Sequence, residues 1–227
     1  MPTHCKIYTS RSKEAFTLVE LLVAVATLAI LLSILMPVSF GVLKKARSAN
    51  SIANMKHIGA AAALYAQERD GSIPTAWDAT KYISWMQQLE GYGLNFGEDQ
   101  EYMFCPLMVN RDASGNVGKV TSYAMNNHIG DRPNKKRWEG VDKIFQCADP
   151  SGTALLFNSF YHSNETSWKF SATPNPGSNV VIPADGTDVF VLFLDGSVRE
   201  IPATDGRLPG GSDSVDAEVR SLFWNGR

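Results

Sequence analysis

The sequence predicts an α+β protein in which a long N-terminal helix precedes a globular head with a small antiparallel sheet. Three observations lead to this class. Residues 16–36 form an apolar run in which Glu20 is the one charged side chain. Apolar and small side chains then recur at helical spacing as far as Ala66. The rest of the chain carries short apolar runs between turn residues, and Asp195-Gly196 is a strong hairpin signal.

The apolar run at 16–36 predicts the first half of the helix. About 20 apolar residues suffice for a helix to cross a hydrocarbon core of roughly 30 Å, so we expect this half to span a membrane. A carboxylate inside such a helix is costly and usually pairs with another group. Glu20 is therefore either a residue that snorkels to the lipid headgroups or one with a specific partner.

The second half of the helix is predicted over residues 37–70. An Ala-rich stretch at 60–63 favours the helix, and Asp70-Gly71 followed by Pro74 predicts its end. One apolar stripe is expected to pack on the head. Its members are Ile52, Met55, Gly59, Ala62 and Ala66.

The head, residues 71–227, is predicted to be rich in strands. Residues 77–91 have mixed helical spacing and predict a short second helix. The run 189–194 is apolar at every position, which predicts a central strand buried on both faces. A last packed turn is expected at 221–224. The predicted strands are 102–106, 120–126, 153–157, 179–182, 189–194 and 197–201.

Residues 13–22 read Lys-Glu-Ala-Phe-Thr-Leu-Val-Glu-Leu-Leu. This segment resembles the N-terminal processing and assembly signal of type IV pilins and type II secretion pseudopilins. The resemblance implies that prepilin peptidase cuts between Ala15 and Phe16 and methylates the new amino group. It also implies that Glu20 meets the amino terminus of a neighbouring subunit. Pro37 matches a proline that often loosens the helix in that family.

The resemblance also implies an organisation and a function. Residues 1–15 would be a leader, 16–36 the transmembrane and assembly helix, and 37–70 its continuation into a pilin-like head. The protein would be a pseudopilin or minor pilin in a type II secretion or type IV pilus-like filament. Its partners would be prepilin peptidase, other subunits and an inner-membrane assembly platform. We expect a single-pass protein of the bacterial inner membrane with its head outside the cytoplasm.

The head shows a second, partial resemblance, to prepilin-type proteins with a His, nine residues and Asp-Gly near the C-terminus. Phe104-Cys105-Pro106 and residues 122–126 are similar to that head. Asp195-Gly196 fits the end of the signature. Asp185 occupies the position of the histidine, so no role of that histidine transfers to this chain.

The two cysteines that follow the leader, Cys105 and Cys147, are either a disulfide of an exported head or two buried thiols. Carboxylates at Asp185, Asp188 and Asp195 suit Ca²⁺, and major pseudopilins often hold calcium in a C-terminal loop. Ordinary turn chemistry explains the same residues, and we favour it. No other cofactor is expected.

Composition and motifs argue against two further classes of function. A formal net charge of −2 gives no support for nucleic-acid binding. The cationic cluster at 135–138 is too short to form a groove for DNA. The sequence contains no nucleophile elbow, phosphate-binding loop or His-Glu-x-x-His motif, so an enzyme is not expected.

A membrane-anchored extracytoplasmic protein that binds a glycan or polymer is the alternative. Its ligand would contact the aromatic side chains Trp77, Trp85, Tyr161 and Trp168. The two functions differ in one observable property, because a simple anchor keeps its leader and a fibre subunit begins at Phe16.

Overall fold

The structure is a computed structural model that describes residues 17–78, 80–94, 105–107, 122–130, 140–159, 171–172, 187–209 and 216–227. Side chains at 35–40 and 171–172 are not among those described. The chain divides into two compact units, Met1–Lys44 and Lys45–Arg227.

Helix α1 spans Leu18–Glu68. It ends where the sequence predicted, because Asp70 and Gly71 adopt positive φ angles of 53° and 77°. The Gly71 N–H donates to the carbonyl oxygen of Ala66 at 2.8 Å and so closes the last turn of the helix. Lys143 forms an ion pair with Asp70 and ties the end of α1 to the head.

The expectation of a membrane-spanning first half is wrong for the described residues, since none of their helices is long and apolar enough to cross a membrane. The fold class is therefore α+β without the expected spanning helix in the part of the chain described.

The predicted helix at 77–91 is wrong in its first half. Strands β1 (Trp77–Asp78) and β2 (Ile83–Ser84) form an antiparallel hairpin, and only Trp85–Leu89 is helical, as α2. The Asp78 carboxylate accepts hydrogen bonds from the backbone N–H groups of Thr80 and Lys81. This Asx turn, followed by Tyr82 at φ 57°, reverses the chain and interrupts the helical period.

The main sheet consists of β3 (Tyr123–Asn126), β4 (Ala154–Asn158), β5 (Ser171–Ala172), β6 (Asp188–Phe193) and β7 (Val198–Pro202). Their order is β5-β3-β4-β6-β7. Four strands pair antiparallel, as predicted. Strand β5 departs from that prediction, because it pairs parallel to β3. Residues 179–182 and most of 102–106 lie outside the described residues.

The core of the head lies on both faces of this sheet. On one face, Phe190 and Leu192 of β6 pack in a cluster with Met55 and Ile58 of α1. On the other face, Val191 and its neighbours pack in a cluster with α3, which spans Ala217–Asn225.

Strand β6 lies between β4 and β7 with both faces buried, which confirms the predicted central strand. The expected stripe on α1 is confirmed at Met55, Ala62 and Ala66, and it includes Ile58, Ala61 and Tyr65 as well.

The C-terminal helix α3 packs on the second face of the sheet. Phe223 and Trp224 are buried, as the predicted packed turn at 221–224 required. The Trp224 ring stacks on Phe157 of β4 with ring centroids 4.9 Å apart. The Asn126 side-chain amide donates to the carbonyl oxygens of Ala154 and Trp224, so one buried polar side chain joins β3, β4 and α3.

Candidate assembly interface on α1

The N-terminal part of α1 presents an apolar surface to solvent. Every described side chain from Thr17 to Ile34 is exposed. Leu18 is 79% exposed, and even the least exposed large apolar side chain of this stretch, Val23, is 53% exposed. A contiguous apolar surface of this kind marks an interaction site in a folded protein. We call residues 18–34 the apolar segment of α1.

Glu20 lies at the start of the apolar segment and takes part in a capping box with Thr17. The Glu20 Oε2 atom accepts hydrogen bonds from the Thr17 backbone N–H and from the Thr17 hydroxyl, both at 2.9 Å. In return the Glu20 backbone N–H donates to Thr17 Oγ1 at 3.2 Å. This reciprocal pattern satisfies donors that a helix N-terminus otherwise leaves without partners. It explains why α1 begins at Leu18.

The capping box also sets the charge and orientation of the Glu20 carboxylate. Hydrogen bonds from the Thr17 backbone and hydroxyl lower the pKa of Glu20 below its ordinary value, so the side chain is ionised near neutral pH. Both bonds end on Oε2. Oε1 therefore has no partner within the part of the chain that the structure describes, and it is available to a group outside the subunit.

The other polar side chains of the apolar segment are satisfied inside the helix. The hydroxyl of Thr27 donates to the Ala24 carbonyl oxygen at 2.9 Å, and that of Ser33 donates to the Ile30 carbonyl oxygen at 2.7 Å. These hydroxyl groups can enter a dry interface without losing a hydrogen bond. Glu20 differs, because its negative charge remains unbalanced by any described neighbour.

Three other sequence-predicted residues of this site have little described structure. Ala15 and Phe16, where cleavage is expected, lie outside the described residues. Pro37 falls within the bounds of α1, but its side chain is not described. The structure therefore brings Glu20 together with Thr17, a residue that the sequence interpretation missed. The signal was present, since Thr-Leu-Val-Glu has the spacing of a capping box.

Of the two alternatives for the cysteines, the structure shows free thiols at both Cys105, which is buried, and Cys147, which is half-buried. Each sulfur instead contacts a hydroxyl group in a different part of the head. Cys105 Sγ lies 3.1 Å from Ser51 Oγ of α1 in the buried core. Cys147 Sγ lies 3.2 Å from Thr153 Oγ1, just before β4.

The aspartates considered for calcium do not converge. Asp188 begins β6 and Asp195 follows its end, so an extended strand keeps the two carboxylates about 20 Å apart. A shared ion would bring its ligand oxygens to within about 2.6 Å of itself. Asp195 Oδ1 accepts from the Ser197 N–H at 2.8 Å in the β6–β7 hairpin, as the turn interpretation predicted. Asp185 lies outside the described residues, and those that are described contain no group of three metal-binding side chains.

The aromatic side chains proposed for glycan binding are only partly accessible. Trp85, the first residue of α2, is fully buried and cannot contact a ligand. Trp77 is half-buried, and its ring packs edge-on against Tyr82 at a centroid distance of 6.5 Å. Tyr161 and Trp168 lie outside the described residues.

Comparison of this chain with known proteins identifies no relative. Neither a protein-family model, nor a curated protein, nor a solved structure matches the chain.

Proposed function

We propose that this protein is a pilin-like fibre subunit, a pseudopilin or minor pilin that prepilin peptidase processes before assembly. The filament would be of the type II secretion or type IV pilus kind. The observation that carries the proposal is the exposed apolar segment of α1, with the single carboxylate of Glu20 at its start. The processing-like sequence around Ala15-Phe16 supports it from the sequence.

Association through the apolar segment accounts for its exposure. When copies pack these helices together, each Å² of apolar surface removed from water contributes about 25 cal/mol. Glu20 opposes this, because an unpaired carboxylate in a dry core is costly. The methylated amino group at Phe16 of a neighbouring subunit would offset the cost. It can bind Oε1 while Thr17 continues to hold Oε2, so pairing does not require the capping box to break.

The resemblance implies one further partner, an assembly platform at the bacterial inner membrane. It also implies that the head lies outside the cytoplasm. Both are predictions that fractionation of the expressing cells would check.

The experiment compares three single variants with the wild type in cells that contain a working prepilin peptidase. Glu20→Ala removes the charge and the cap, Glu20→Gln removes the charge but keeps a cap acceptor, and Thr17→Val removes the cap hydroxyl. We expect leader cleavage in all of them. Both Glu20 variants should fail to form pelletable filaments, whereas Thr17→Val should still assemble.

The measured quantities are the cleaved fraction on a gel and the fraction of cleaved protein that pellets as filament. If Glu20→Gln assembles as the wild type does, the charge has no partner in the fibre and the pairing mechanism fails. If only Thr17→Val and Glu20→Ala fail, Glu20 acts through the helix cap alone.

A further inference from the structure

The start of α1 is fixed by a set of hydrogen bonds that all involve Thr17. Thr17 is not helical, and α1 begins at Leu18. The Thr17 carbonyl oxygen accepts from the Leu21 N–H at 3.3 Å, which closes the first turn of the helix. The hydroxyl and the backbone N–H of Thr17 bond to Glu20 in the capping box. Thr17 is therefore the N-cap residue of α1.

The capping box leaves no donor at Thr17 for a longer helix. If α1 continued toward the N-terminus, the Thr17 N–H would donate to the carbonyl oxygen of Lys13, four residues earlier. The Glu20 carboxylate takes this N–H instead, at 2.9 Å. Phe16 and Leu21 are apolar residues at the two positions of a hydrophobic staple, a pattern that often accompanies a capping box. A helix therefore cannot pass through Thr17 while the capping box is intact.

The sequence before Thr17 would otherwise favour a longer helix. Residues 13–15 are good helix formers, and Ser12 is a suitable alternative N-cap. No glycine or proline lies between positions 3 and 36 to stop a helix there. A helix that began after Ser12 would place the Ala15–Phe16 bond in its first turn. The capping box decides between these two starts.

We propose that Thr17 and Glu20 are positioning residues for the processing reaction, because their capping box keeps the Ala15–Phe16 bond outside α1. In this hydrolysis, water cleaves the amide and leaves a carboxylate on Ala15 and an amine on Phe16. Proteolysis favours backbone outside regular structure, since a helical turn engages the amide groups around a bond and hinders access to its carbonyl carbon. This role rests on the proposed processing by prepilin peptidase, and Glu20 performs it before any assembly.

Pulse-chase measurement of leader removal from the full chain tests the role of the cap. The cells contain a limiting amount of peptidase, so that the rate of cleavage is measured as well as its end point. Thr17→Val and Glu20→Ala each remove half of the capping box. We expect both to be cleaved about three- to tenfold more slowly than the wild type, although cleavage goes to completion. Thr17→Ser and Glu20→Gln keep a cap acceptor and should be cleaved within about twofold of the wild-type rate.

The four variants separate the cap from direct recognition of side chains by the peptidase. Recognition of the Glu20 charge would slow Glu20→Gln as much as Glu20→Ala. Recognition of the Thr17 side chain would slow the variants at position 17 and leave Glu20→Ala at the wild-type rate. Either pattern, or equal rates for all four variants, would overturn the proposal.

A second substitution tests whether the slow variants are slow because the bond has become helical. Glycine is a much poorer helix former than alanine. Ala15→Gly should therefore restore the cleavage rate of Thr17→Val to within about twofold of the rate for Ala15→Gly alone. Cys5→Gly, in the leader but before Ser12, is the control and should not restore it. If the effects of Ala15→Gly and Thr17→Val simply multiply, glycine acts independently of the helix start and the proposal fails.

Hydrogen exchange gives a readout that does not depend on the enzyme. The uncleaved full chain is isolated from cells without the peptidase. A helix that began after Ser12 would bond the Phe16 N–H to the Ser12 carbonyl oxygen. The Phe16 amide should therefore exchange several-fold more slowly in Thr17→Val than in the wild type. Equal exchange in the two proteins would contradict a shifted helix start.

Failure of this role is distinguishable from failure of the proposed function. If the wild type and all cap variants begin at Phe16 and are cleaved at one rate, only the role of the cap is wrong. If the wild type keeps residues 1–15 in cells with a working peptidase, the proposed function fails and the role of the cap fails with it.

Discussion

The Glu20 carboxylate has one partner inside its subunit and room for another outside it. Thr17 holds Oε2 through two hydrogen bonds, and Oε1 points to no described group. A negative charge near the N-terminus of a helix is also favourable for the helix dipole. Glu20 therefore helps to set where α1 begins even before any assembly. A loss of fibres in Glu20→Ala could come from the lost helix cap or from the lost charge. Glu20→Gln separates these causes, because it removes the charge and keeps an acceptor for the cap.

A second residue-scale prediction concerns Asp205 and Arg207, which form an ion pair at 2.7 Å beneath α3. Hydrogen bonds from Arg207 lower the pKa of Asp205 below its ordinary value. A depressed carboxylate pKa contributes stability above the unfolded pKa of about 3.9, and this contribution is lost as the pH falls through the folded pKa. The free energy of unfolding should therefore decline below about pH 4.

Urea unfolding of the wild type and of Asp205→Asn between pH 3 and pH 7 measures this contribution. We expect the variant to be less stable than the wild type at pH 7 and the difference to shrink in acid. Ser151→Ala provides a second case at a separate turn, because it removes a hydrogen bond that lowers the pKa of Asp149, and its stability loss should shrink in acid as well. A stability difference for Asp205→Asn that stays constant down to pH 3 would contradict the assignment to this ion pair.

At the scale of elements, the loop after β3 packs against the segment that follows α1, and Gly130 makes this approach possible. Gly130 has a φ of 102°, and a Cβ there would lie 2.9 Å from the Pro74 carbonyl oxygen. Gly93 has a similar φ of 90° but open space around it. Gly130→Ala should destabilise the head by about 2 kcal/mol or more, and Gly93→Ala by about 1 kcal/mol from backbone strain alone.

Chemical denaturation of the two variants measures the difference. Alanine at either position would have a similar positive φ, so the excess loss for Gly130→Ala reports mainly the steric clash with the backbone. Equal losses for the two variants would show that the loop moves away without cost.

The sequence pattern predicts the elements whose residues follow one simple period. Strand β6 and the Asp195-Gly196 hairpin are examples, because a fully apolar run and a turn dipeptide each favour one structure. The β1–β2 hairpin was missed because its reversal depends on an Asx turn at Asp78 and a positive φ at Tyr82, neither of which alters the apolar spacing. The state of the two cysteines could not be predicted from the sequence either, because it depends on the fold, in which Cys105 and Cys147 contact different elements.

The candidate site was predictable in composition but not in geometry. The apolar segment and Glu20 are evident from the sequence, and so was the Thr17–Glu20 spacing. The spacing alone does not show that Thr17 holds one oxygen of the Glu20 carboxylate and leaves the other without a described partner. The expected membrane span is the part of the fold prediction that was wrong, since no helix among the described residues is long and apolar enough to cross a membrane.

For the whole molecule, the head and the apolar segment differ in how their apolar side chains are covered. The head buries its own core on both faces of the sheet. The apolar segment leaves its described side chains exposed. A chain whose head buries its own core and whose apolar segment is uncovered is suited to association through that segment, which is the basis of the proposed fibre.

The central claim is that this chain is a processed fibre subunit, and the mature N-terminus tests it most directly. Intact-mass and N-terminal peptide mass spectrometry would be applied to the full chain isolated from cells with a working prepilin peptidase. The proposed function predicts a protein that begins at Phe16 and carries an N-methyl group. A protein that retains Met1 or any other part of residues 1–15 under these conditions would contradict it.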